Sequence, residues 1–227
     1  MLPHAQAFGP LSTTRTTVKG VSFDMVRVPP GRFVDSAGSS KRTLLVSRPF
    51  QIGVTPVTQA LWRAVTGKRP SRFRGNDRPV EKVSWHDVQT FLARLEALGL
   101  HGFRLPTEVE WLWAVYCGAS TRFAGADRAN PVAMVNQDET ASVGSLLPSA
   151  AGVLDLSGNV FEWQQDRWTD MLAAGVDVQG PALGTNRALR GGAWDGSRLF
   201  AQPASSLGID PDYRGGDLGV RLLRTAP

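Results

Sequence analysis

From about residue 119 to residue 154 the sequence loses every regular hydrophobic period and becomes polar chain punctuated by Gly and Pro. Connections longer than about 15 residues without secondary structure are uncommon inside a folded domain and are usually functional or disordered. A chain of this kind needs a firm scaffold on either side of its loops. Upstream, strand-like runs cover Asp24–Val28, Arg32–Val34, Thr43–Ser47 and Phe50–Val54, separated by Pro29-Pro30-Gly31 and Pro49. A first helix is expected from Thr58, with Leu61, Trp62 and Val65 on one face and a stop at Gly67. A second starts at the N-cap Ser84, carries Val88, Phe91, Leu92, Leu95 and Leu98 at helical spacing, and stops at Gly99.

After a short strand at Phe103–Leu105, Thr107 and Glu110 form a capping box for a third helix, expected to reach about Cys117 and end at Gly118. Strand character returns at Val160–Trp163, Ala188–Trp194 and Gly219–Arg224. Strands, a few helices and then mostly irregular chain make an α+β fold the expectation, not a parallel βαβ sheet. Residues 1–18 read as a lead, either flexible or contacting another protein, and residues 19–227 as one domain.

The 227 residues, 42% hydrophobic, suffice for one sizeable core. No run of 18 apolar residues predicts a membrane span, and no secretory signal or lipid-attachment cysteine is visible, so a soluble cytoplasmic protein is expected. A single cysteine, Cys117, excludes an internal disulfide framework and reads as a core residue. The formal charge of +5 is uneven: residues 1–75 carry 12 Lys/Arg against 2 Asp. One short cluster, Lys68, Arg69, Arg72 and Arg74, reads first as a solvated basic face, with nucleic acid or an acidic partner less favoured.

Few groups invite catalysis. Only His4, His86 and His101 are present, with no i, i+4 pair, which leaves no histidine metal triad and no base for a Ser/His/Asp set. Glu108 and Glu110 fall in a first helical turn, where capping is the expected role for both. Arg190-Gly191-Gly192 leads into a strand, so it is not a nucleotide-binding glycine loop.

Six segments occur in order: Pro56-Val57-Thr58, Val83-Ser84-Trp85-His86-Asp87, Phe103 to Trp111 (FRLPTEVEW), Gly158 to Trp163 (GNVFEW), Leu189 to Trp194 (LRGGAW) and Gly219-Val220-Arg221. Together they resemble the formylglycine-generating-enzyme (sulfatase-modifying-factor) family over about residues 20–224. The resemblance implies a C-type-lectin-like α+β domain. It also implies that the oxidising enzymes hold copper with two C-terminal cysteines. Here no cysteine follows Cys117, and Arg198 and Pro203 stand about where the pair would fall. A second enzyme branch uses iron on a histidine triad, which this chain lacks. The expectation is a protein that is not an enzyme and requires no cofactor. The one ion the resemblance implies is a structural calcium, held by the carboxylates of Asp155 and Glu162 and the carbonyls of Gly158 and Val160. The alternative is a hydrogen-bonded turn with Glu162 paired to an Arg.

Trp194 to Arg224 is similar to the C-terminal region of the variable proteins of diversity-generating retroelements, in which a reverse transcriptase rewrites adenine-containing codons. Arg190-Gly191-Gly192, Trp194, Ala204, Pro211-Asp212, Arg214, Gly219 and Arg221 would form the fixed part, within a variable region at about 190–224. The substituted positions would be Asp195, Gly196, Ser197, Leu199 and Phe200; then Ser205, Leu207, Gly208, Ile209 and Asp210; then Tyr213, Gly215, Gly216 and Asp217. The resemblance implies binding of an unnamed ligand, expected to be a protein, with no membrane insertion and no nucleic acid. Alternatives are a non-variable binding or regulatory domain of the same fold, with Phe200 and Ile209 in its core, or a formylglycine-generating-type oxidase with an unrecognised site.

Overall fold

Lys19 and Gly20 both hold positive φ, the geometry of a two-residue type I′ turn, and join Thr13–Val18 (β1) to Val21–Val28 (β2) in an antiparallel hairpin. This corrects the expected lead, because Thr13–Val18 is a paired strand of the domain. The computed structural model describes residues 10–37, 40–119, 121–128 and 133–225. His4 lies outside them, as does the first half of the expected lead, residues 1–9.

The other strands are Gly31–Ala37 (β3), Ser40–Val46 (β4), Phe50–Gly53 (β5), Phe103–Arg104 (β6), Phe161–Arg167 (β7), Gly175–Val176 (β8), Arg187–Arg190 (β9), Leu207–Ile209 (β10), Leu218–Gly219 (β11) and Leu223–Thr225 (β12). They build three sheets, ordered β1-β2-β5-β12-β6, β10-β9-β7-β11 and β3-β4-β8. Two expected strands differ. The run Ala188–Trp194 stops at Arg190 because Gly191 and Gly192 turn the chain at φ 97° and 75°. The run Gly219–Arg224 splits between two sheets, with buried Val220, Arg221 and Leu222 crossing from β11 to β12.

Gln59–Thr66 (α1), Trp85–Ala97 (α2) and Glu108–Tyr116 (α3) start at their expected caps, with Thr58, Ser84 and Thr107 each accepting a backbone N–H. Helices α1 and α2 lay Leu61, Trp62, Val65, Val88, Phe91 and Leu95 against a core that reaches Trp163 of β7. Helix α3 is buried on nearly every side and packs against β3, β4 and β7, with Trp111 and Trp113 among the largest buried side chains. It ends one residue earlier than expected. Cys117 takes a left-handed C-cap at φ 36°, and burial pushes its thiol pKa up to about 11.

Candidate functional site

Two antiparallel strands, β7 and β9, carry the site, with β10 added to β9 and β11 added in parallel to β7. Phe161, Leu189 and Leu218 from these strands floor a cleft of about 340 Å³. Its walls are Leu207, Ile209, Asp210, Tyr213 and Asp217. Five of the positions expected to vary therefore meet in one concavity. Tyr213 stands at its rim, 54% exposed. Asp217 is half-buried, and burial raises its pKa, helped by the nearby charge of Asp195.

The loops around the cleft are held by the positions expected to be fixed. Arg190 is buried, pairs with Glu108 at 2.6 Å and donates to the Pro203 carbonyl at 2.7 Å. Arg214 pairs with Asp87 at 2.6 Å, the Trp85 N–H donates to the Pro211 carbonyl, and Trp194 Nε1 donates to the Gly216 carbonyl at 3.1 Å. The result is a cleft whose surrounding loop backbone is anchored by contacts within the chain.

The remaining expected positions are dispersed. Asp195, Ser197 and Leu199 are exposed on a turn in which Gly196 N–H donates to the Ala193 carbonyl. Phe200 turns inward, its ring 6.3 Å from Phe161 in an edge-on contact. Phe200, Leu207 and Ile209 are all partly buried against the core, so they serve packing as well as surface. Ser205 Oγ donates to the Leu199 carbonyl. Gly215 is buried, while Gly216 is half-exposed. A Cβ on Gly208 would lie 2.5 Å from the Trp168 ring, whereas one on Gly216 would meet nothing nearer than 3.7 Å.

Glu108 corrects the capping expectation. Glu110 completes the capping box and pairs with Arg104 at 2.6 Å, but Glu108 points into the core toward Arg190. The helix instead receives Asp166, whose Oδ2 accepts the Glu108 N–H at 2.7 Å. The signal in the sequence was slight: Glu108 and Glu110 are two first-turn carboxylates of an otherwise apolar helix, and spacing alone does not say which one turns inward.

The residues expected around calcium do not fit a cation as they stand. Both Glu162 oxygens accept from Arg221, and Oε2 also accepts Trp111 Nε1–H at 2.7 Å. Asp155 turns its carboxylate to the backbone N–H groups of Gly144 and Leu146. The Gly158 carbonyl accepts the Val160 N–H at 2.9 Å. Among the described residues no group of three His, Cys, Asp or Glu side chains converges on one point.

Comparison with known proteins places these features in a family. The description "Sulfatase-modifying factor enzyme 1-like domain" matches residues 12–226. The chaperone protein LppX of Paenibacillus barcinonensis is 27% identical over 90% of either chain. The formylglycine-generating enzyme of Streptomyces coelicolor is 33% identical over 75% of this chain and 60% of that enzyme. Among solved structures, Treponema denticola variable protein 1 superposes with a TM-score of 0.86 at 29% identity, covering 94% of this chain and 99% of that one. The fold is the C-type-lectin-like fold of such proteins, and the chain belongs to the sulfatase-modifying-factor (formylglycine-generating-enzyme) family.

Proposed function

We propose that this protein is a binding module of the diversity-generating-retroelement type, displaying a diversified surface toward another protein. The observation that carries the reading is the cleft in which Leu207, Ile209, Asp210, Tyr213 and Asp217 gather over an apolar floor of fixed strands. An aromatic and two aliphatic groups beside two carboxylates match the anchor-and-rim pattern of evolved recognition surfaces. The likeness to the Treponema variable protein supports it. No chemical step is required of the site. The formylglycine-generating relatives are enzymes, but the copper chemistry implied by that resemblance asks for two thiolates, and this chain has one cysteine, buried at the end of α3.

Two experiments test the reading. Sequencing the DNA beyond the gene's 3′ end should reveal a near-copy of the codons for about residues 190–224, differing almost only at adenines and beside a reverse-transcriptase gene. Its absence from the whole genome would remove the diversification. Incubation with a cysteine-containing peptide, copper and oxygen should yield no aldehyde. Turnover there would make the protein an oxidase.

A further inference from the structure

A second concavity lies away from the C-terminal cleft, between α1 and the loop that follows it. It measures about 360 Å³ and is walled by Trp62 and Arg63 of α1 and by Lys68, Arg69, Ser71 and Arg74 of the loop. The loop is a built structure. Gln59 donates to the carbonyls of Phe73 and Pro79 and accepts the Gly75 N–H, so one side chain staples three points of it. Arg74 Nη1 crosses to the Arg69 carbonyl at 3.0 Å, and the Ala60 N–H donates to Asn76.

Two features of this cavity lack a counterpart among the described residues. Arg63, Lys68, Arg69 and Arg74 place four cations on its wall, and among the described residues no carboxylate lies within ion-pair distance of any of them. Glu81, on which the Arg74 charge acts, is wholly buried and accepts the Phe73 N–H on its Oε1. Trp62, 3% exposed and stacked on Phe91 at 4.8 Å, holds its indole Nε1–H buried without an acceptor. A buried donor without a partner is costly, and an oxyanion is a ligand that can satisfy a lone donor and several cations together.

We propose that this cavity is a binding site for a phosphate monoester, with the guanidinium and ammonium groups around the phosphate oxygens and Trp62 Nε1–H donating to one of them. Guanidinium groups match phosphate oxygens in pairs, and a dianion answers several cations at once. A recess walled on one side by a helix fits one phosphorylated group better than a continuous nucleic-acid strand. The site stands apart from the proposed binding cleft and does not depend on it.

The test is a titration of the whole 15N-labelled protein with O-phospho-L-serine at fixed ionic strength, following the indole N–H signal of Trp62, assigned with Trp62→Phe. The expected result is a saturable shift at millimolar or lower concentration, weakened about tenfold by Arg69→Gln or Arg74→Gln. Both arginines are exposed, and Arg69→Gln leaves the loop's bracing bonds in place, whereas Arg74→Gln also removes the bond to the Arg69 carbonyl. Trp62→Phe keeps the stack on Phe91 and should weaken binding while the protein stays folded. Inorganic phosphate binding as tightly would assign the site to free phosphate, and tighter binding of a phosphoserine peptide to a phosphorylated partner. No shift, or a response to single-stranded DNA that falls log-linearly with salt and ignores Trp62→Phe, would overturn the site and leave an ordinary basic face.

Discussion

Arg221 and Glu162 form a wholly buried ion pair, with Nη2 2.7 Å from Oε1. The same guanidinium donates to the carbonyls of Gly53, Val54 and Leu154, so it ties β5 and the loop before β7 to the carboxylate. Neither charge meets water. Each is tolerable because the other is present and because the remaining N–H groups have acceptors.

Removing one partner should therefore be severe. Arg221→Met is expected to cost about 3–5 kcal/mol in chemical denaturation, since Glu162 would be left buried and unpaired. Lysine should not rescue it, lacking the fork that reaches three carbonyls and a carboxylate together. With the guanidinium already facing Glu162, a calcium chelator should leave the melting temperature unchanged. A fall of several degrees on chelation would show that a cation shares the site.

Gly208 and Gly216 should behave oppositely on substitution. Gly208→Ala pushes a methyl group into the Trp168 ring and should destabilise by about 1–3 kcal/mol. Gly216→Ser has room and should stay within about 0.5 kcal/mol of the parent. In a set of natural variants, position 208 should stay glycine while 216 changes. Frequent large residues at 208 would refute the placement of β10.

Glu81 carries a pH signature. Burial raises its pKa, opposed by the N–H groups of Phe73 and Arg72 and by the charges of Lys82 and Arg74. A carboxyl raised on folding lends stability below its ordinary pKa and loses it as pH rises through the folded value. Glu81→Gln should therefore melt higher than the parent at pH 7, with the gap closing toward about pH 4. A gap that widens on acidification would mean that the carboxylate is stabilised by its charge.

The Cys117 thiol should resist alkylation. Burial and a pKa of about 11 leave almost no thiolate at neutral pH, so reaction should track unfolding. Rapid labelling of the folded protein at pH 7 would show that the C-cap of α3 opens locally.

The helix starts were legible because Thr58, Ser84 and Thr107 sit directly before apolar positions at helical spacing, a signal confined to a few neighbours. The joining of Leu207, Ile209, Asp210, Tyr213 and Asp217 was not, since it depends on β10 and β11 docking on opposite sides of β9 and β7. The motif around Arg190 could be read as fixed, yet its partner Glu108 lies 82 residues away and looked like an ordinary first-turn carboxylate. The cation cluster was visible as charge alone. Its cavity depends on Gln59 folding the loop back onto α1, a contact that no local spacing announces.

Strand β12 lies between β5 and β6, the two strands it joins having formed much earlier in the chain. During synthesis, then, the five-stranded sheet waits with an open slot until residue 225 has left the ribosome. Any change in the loops between β9 and β12 must still let β12 reach that slot, because a blocked slot leaves the edges of β5 and β6 unpaired and open to aggregation and proteolysis.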